Sequence, residues 1–325
     1  MIFTYLAESS VKNIGISTCI NSYRHCSHQA VIKARNKLGV NLFKEVNFNI
    51  NKNYLSPNHI YAIDGSKIKV HNCFKNYGYN TRTCDKIIKK PAKKPLAMLS
   101  SLIGINTDTV VNYTITKSFN EREFISPLID NLDRKDTVIL DRGYFSKDIF
   151  SLFHEKKVNC IIRIKKDANK IVKAFYYSHK KNLSTFLINN DTIIPIRYVK
   201  YTLDKHKYIL CTSVKDKSIN QLKAMYKLRW RAELSFKRLK SYLNINKIYS
   251  LNEQFWLQEM QLRILLDTLT RSIQLNIKTK NKYVFTFKYI LNIFCNTITI
   301  HYNLNRLKHL NNIAYYDVKL TWLDK

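Results

Sequence analysis

Apolar positions along this chain follow two rhythms, and the switch between them outlines its architecture. Over roughly the first 50 residues the spacing is helical, with Ser27 as a cap before a helix over 29–38 and Gly39 as its stop. A loop containing Pro57 follows. From His59 the pattern becomes strand-like. An apolar run over 60–70 is interrupted by Asp64-Gly65-Ser66, and runs over 98–105 and 109–116 flank Asn106-Thr107-Asp108 as a hairpin. Residues 121–132 predict an amphipathic helix. Residues 137–140 predict a buried strand running into Asp141-Arg142-Gly143-Tyr144. Ser146 caps a helix to about Lys156, and 159–164 read as another strand. The basic, irregular stretch 73–95, with Lys86, Lys89, Lys90, Lys93 and Lys94 among Cys, Gly and Pro, predicts a mobile loop. Residues 170–215 are rich in β-branched and aromatic side chains, above all 192–201 and 208–214, and predict further strands. One long helix is expected over 217–243. The rest, to Lys325, reads as helical, most clearly over 255–273.

Strand, hairpin, helix, strand, helix, strand and a later helix is the order of an RNase H-like α/β core. The expected fold is therefore α/β, with a β-rich insertion at about 165–215 before the last core helix. The domain reading is a helical N-terminal segment (1–55), a catalytic domain (56–250) and a helical C-terminal segment (251–325).

Charge narrows the function. Lys and Arg number 55 against 23 Asp and Glu, a formal net charge of +32. AT-rich coding would enrich Lys, but it would enrich Asp and Glu too, and they stay scarce. The excess therefore predicts a polyanionic partner. No run of 18 apolar residues suggests a membrane span, and the N-terminus lacks the pattern of a signal peptide. The seven scattered cysteines argue against a disulfide framework and for a reducing compartment. Cys19, His25, Cys26 and His28 sit close together, but no second ligand pair follows at zinc-finger spacing.

Three acidic residues stand out by position. Asp64 interrupts an apolar strand, and Asp141 ends another. A carboxylate in such a setting is costly unless a cation compensates it, although a turn residue or helix cap is the plain alternative for each. On an ideal helix of ~100° per residue, Tyr226, Arg229, Glu233 and Lys240 fall within about a 60° sector. That sector borders the apolar stripe of Met225, Leu228, Ala232, Phe236, Leu239 and Leu243. A solvated face with i,i+4 pairs such as Arg229–Glu233 would use the same residues.

Tyr226, Arg229, Glu233 and Lys240, with two, three and six residues between them, resemble the Tyr-Arg-Glu-Lys motif of DDE transposases of the fourth bacterial insertion-sequence family. Ile63-Asp64-Gly65-Ser66 and Val138–Tyr144 resemble that family's two aspartate blocks, and Asn120-Glu121-Arg122-Glu123 a stretch common between them. The likeness covers about residues 56–245, with a fainter echo at 29–43. It implies metal-dependent DNA strand cleavage and strand transfer in cut-and-paste transposition. Asp64, Asp141 and Glu233 would be catalytic and hold two Mg²⁺ ions, with Mn²⁺ as a substitute. Tyr226, Arg229, Lys240 and Arg142 would contact DNA phosphates. The implied partners are double-stranded DNA, at element ends and target, and a second copy of the chain in a synaptic dimer. Neither a membrane nor a small-molecule substrate is expected, and the expected location is cytoplasmic, associated with DNA (on the nucleoid if the host is bacterial). Members of the family stack a flipped base on an aromatic of the β insertion. The insertion here has no Trp, and Tyr198 or Tyr201 could substitute. Only 63 residues precede Asp64, so the end-binding region is expected to be shortened. The runner-up is a degenerate transposase that binds DNA without cutting. Behind it stand a nuclease of the same fold and a basic RNA-binding protein, for which no recognition motif is present.

Overall fold

The computed structural model describes residues 28–52, 59–81, 92–248, 250–276 and 286–292. Ser27, Pro57, the Cys19–Cys26 group, much of the basic stretch 73–95 and the chain beyond 292 lie outside them. Two units emerge: Met1–Gly39 with Asn276–Lys325, and Val40–Leu275. In the first, α1 spans His28–Lys37, close to the expected 29–38, and a short helical turn covers 287–292.

The larger unit is built on one eight-stranded sheet. In chain order its elements are α2 (Leu42–Lys52), β1 (Ile60–Lys69), β2 (Leu96–Gly104), β3 (Thr109–Thr116), α3 (Ile125–Ile129), β4 (Thr137–Leu140) and α4 (Lys147–Glu155). There follow β5 (Asn159–Ile164), α5 (Lys170–Tyr177), β6 (Asn182–Asn189), β7 (Thr192–Leu203), β8 (His206–Thr212), α6 (Ile219–Lys227), α7 (Trp230–Ser241) and α8 (Glu253–Asn276). The strand order is β3-β2-β1-β4-β5-β8-β7-β6. β1, β4 and β5 run parallel, and the other pairs are antiparallel. The first five strands keep the expected RNase H-like order. The later three extend the same sheet from β5.

Every residue of β2 and β4 is buried, which is why both read as unbroken apolar runs. Successive strand residues face opposite sides. Leu140 packs with Ile63, Phe150 and Phe153 on one face; Ile139 packs with Ile161, Leu222 and Tyr226 on the other. Asp141, two residues on from Ile139, therefore belongs to the Tyr226 face.

Three expectations are corrected. Residues 170–177 form a helix rather than a strand: Asn169 caps its start by accepting from the Val172 N–H at 2.8 Å. The buried Lys200 ammonium donates to the carbonyls of Phe175, Tyr176 and Ser178 at its end. Capping at both ends overrides the strand preference of Ile171, Val172 and Phe175. The helix expected over 121–132 is a 3₁₀ turn, Glu121–Phe124, leading into the short α3. The single helix expected over 217–243 is two. Leu228, Arg229, Arg231 and Ala232 each donate to the carbonyl three residues back, to Met225, Tyr226, Leu228 and Arg229. This tightened turn advances by more than 100° per residue, so Tyr226 and Glu233 lie on different helices.

Around the sheet, the α2 residues Asn47 and Asn51 donate to the Val110 carbonyl. A buried ionic group ties α7 to α8: Arg238 donates to Asp267 at 2.7 Å and to Asp108, in the β2–β3 turn, at 2.8 Å. No helix among the described residues is long and apolar enough to cross a membrane.

Candidate active site

The two aspartates meet through strand register. Ile63 of β1 pairs with Leu140 of β4, its parallel neighbour. Asp64 and Asp141 are the next residues on these adjacent strands, on the same face. The sheet's strand order reverses between β1 and β4, and the carboxyl ends of strands at such a switch point form a crevice that favours ligand binding.

The helix pair α6–α7 covers that crevice. Arg229, at the tightened turn, donates from Nη2 to Glu233 Oε1 at 2.6 Å, and its Nη1 lies 3.5 Å from Asp64 Oδ2. Tyr226 Oη donates to Asp141 Oδ1 at 3.4 Å. Lys240 Nζ donates to Ser66 Oγ at 2.6 Å, two residues beyond Asp64. Of the seven residues expected at the site, six are thus brought to one edge of the sheet. The seventh, Arg142, follows Asp141 directly; its side chain is exposed and forms no ion pair among the described residues.

Electrostatics single out Asp64. Its side chain is 20% exposed, and burial raises its carboxyl from 3.8 to about 6. The Gly65 N–H, donating at 2.9 Å, and Arg229 oppose that shift, while Glu121 and Glu233 add to it. Burial would lower the Arg229 pKa, but the Glu233 hydrogen bond, with Tyr226, Asp64 and Asp141, raises it overall. Burial, reinforced by Lys69, lowers that of Lys240.

A divalent cation suits these donors chemically. Asp64 offers a hard oxygen whose charge is under-compensated, and Mg²⁺ takes one or two carboxylates with water and phosphate completing its shell. Among the described residues, no three His, Cys, Asp or Glu side chains form a ready-made ligand group. Asp64 and Glu233 are joined through the Arg229 guanidinium instead.

Sequence reasoning missed two participants. Arg163, the one charged residue in β5, has Nη2 3.6 Å from Asp141 Oδ1 and its guanidinium 5.9 Å from the Tyr208 ring. A lone charge in an apolar strand was the available signal. Glu121 lies close enough to Asp64 to perturb it. Of the two aromatics considered for base stacking, Tyr198 is 1% exposed and packs on Phe175, so it belongs to the core. Tyr201 is half-buried, stacks on Tyr208 at 5.6 Å and has Lys223 Nζ 5.7 Å from its ring.

The family model described as the transposase DDE domain matches residues 56–266. Among solved structures, the chain is similar to one described as a cryo-EM structure of piggyBac transposase synaptic complex with hairpin DNA. The two are 14% identical with a TM-score of 0.52, over 83% of this chain and 56% of that one. The chain thus spans little more than half the length of that relative, and the likeness is one of fold. No curated protein matches.

Proposed function

The chain belongs to the transposase DDE-domain family, and from that premise we propose that it is a DNA transposase that cleaves and rejoins DNA with Asp64, Asp141 and Glu233 at its catalytic centre. We assign it to the fourth bacterial insertion-sequence family, on the Tyr226–Arg229–Glu233–Lys240 spacing. The observation that carries the reading is the register of Ile63 against Leu140. It makes two aspartates neighbours at the switch point of the sheet, with Arg229 linking one of them to Glu233.

In this reading Asp64, Asp141 and Glu233 would together hold two Mg²⁺ ions. Bound there, the ions would activate water or a DNA 3′-hydroxyl and stabilise the leaving oxygen during in-line attack on phosphorus. The protein's own part is to bind and align. Arg229 and Lys240 offer cations to the phosphates flanking the scissile bond, and Tyr226 a phenol donor. The exposed Arg142 reaches a phosphate on the Asp141 side. Asp64 must be ionised to accept a cation, and Arg229 favours that form. The net charge of +32 supplies sequence-independent attraction to the duplex. The substrate is double-stranded DNA at the element's ends and at the target, synapsed by a dimer in cut-and-paste transposition.

The test is Mg²⁺-dependent strand cleavage on DNA bearing the element's ends. Asp64→Asn, Asp141→Asn and Glu233→Gln should each lower the rate by at least ~10²–10³-fold. They should leave DNA binding in a gel-shift intact. Cleavage that survives all three changes would reject the assignment. Binding by the wild type without cleavage would instead favour a degenerate, DNA-coating protein.

A further inference from the structure

The ladder between β1 and β4 ends at Ile63 and Leu140, one residue short of both aspartates. Their spacing is therefore held by contacts outside the ladder, and some of these come from behind the sheet. Gly65 faces away from Asp64, since successive strand residues alternate. A Cβ at Gly65 would lie 2.7 Å from Glu121 Cδ and 2.8 Å from Glu121 Oε1. The glycine thus leaves the gap into which the Glu121 carboxyl inserts. From there Glu121 Oε2 accepts from Tyr144 Oη at 2.6 Å. The next residue, Arg122, donates from Nε and Nη2 to the Gly143 carbonyl at 2.9 and 2.7 Å. Both anchors fall in the short turn Arg142–Tyr144, which directly follows Asp141.

We propose that Glu121 and Arg122 form a clamp that sets the Asp141 turn against the Asp64 strand, with Glu121 as a positioning residue for the two catalytic aspartates. The inference rests on the catalytic reading above and extends it to a residue on the opposite face of the sheet. Glu121 lodges against the backbone of β1 and binds the turn after β4, so losing it loosens one aspartate relative to the other. A hydrogen-bond acceptor of the same shape suffices for this task. Outer-shell partners of this kind typically govern metal affinity and activity by ~10–100-fold.

The experiment compares Glu121→Ala, Glu121→Gln and Tyr144→Phe with the wild-type full chain. It measures Mn²⁺ binding by electron paramagnetic resonance and the Mg²⁺ dependence of strand cleavage. Glu121→Ala and Tyr144→Phe should each weaken Mn²⁺ binding and lower kcat by ~10–100-fold, with DNA affinity unchanged. The double variant Glu121→Ala/Tyr144→Phe should be no worse than the poorer single one, because both remove the same bond. Glu121→Gln should retain most activity, since its amide oxygen still accepts from Tyr144. Should Glu121→Ala not fold, Tyr144→Phe decides, because it removes one hydroxyl and little packing. The clamp is overturned if these variants match the wild type in Mn²⁺ affinity and kcat, or if only their melting temperature changes. A wild type that neither binds Mn²⁺ nor cleaves counts against the catalytic reading, and against the clamp with it.

Discussion

Asp64→Asn should make the protein more stable while destroying its proposed activity. Burial raises the Asp64 carboxyl from 3.8 to about 6, so the folded chain holds this proton more tightly than the unfolded one. The group's contribution to stability is therefore fully present below pH ~4 and is lost as pH rises through ~6. At 1.36 kcal/mol per tenfold in acidity, ionised Asp64 weakens the fold by roughly 3 kcal/mol at neutral pH. Asparagine removes that penalty, in which the attraction of Arg229 at 3.5 Å is already included, and still accepts from the Gly65 N–H. A net gain of about 3 kcal/mol follows at pH 8, or ~6–12 °C for a domain of about 200 residues. Near pH 4 the gain should shrink toward zero. The assay is thermal unfolding of both proteins from pH 4 to 8, in chelator and again with Mg²⁺. The cation should narrow the gap at pH 8, because it binds folded wild type and not the variant. A variant no more stable than wild type at pH 8, or a gap independent of pH, would refute the reasoning.

Asp267→Asn should be among the most damaging single changes away from the site. It leaves the buried Arg238 guanidinium short of its main counter-charge, and urea unfolding should record a loss of ~3–5 kcal/mol. Lys200→Met removes the donor that closes α5. A loss of ~1.5–3 kcal/mol is expected, with hydrogen exchange accelerated first in residues 170–178. Lys240→Ala should weaken DNA binding nearly equally for all sequences and reduce the salt slope by ~1, measured by fluorescence anisotropy across a salt series.

The sequence by itself determined the elements whose pattern is local. β4 and β5 match their expected bounds, 137–140 and 159–164, and β1–β3 fall within two residues of theirs. A continuous apolar run buried on both faces is legible without knowing its neighbours. The acids were visible for a related reason: a charge inside or at the end of such a run conflicts with burial and asks for a partner. The charge balance was equally plain from composition.

Tertiary structure decided who the partners are. Nothing in the helical spacing of residues 217–243 foretold the tightened turn at Arg229, which joins Glu233 to Asp64 in place of a uniform stripe. The caps on α5, one local at Asn169 and one from distant Lys200, turned a β-prone segment helical. Arg163 reached Asp141, and Glu121 filled the gap at Gly65, only because β5 lies beside β4 and residues 121–124 pack behind β1. Periodicity records which side of an element is buried. Which strands become neighbours, and in what register, depends on contacts between residues far apart in the chain. The site is made of such contacts.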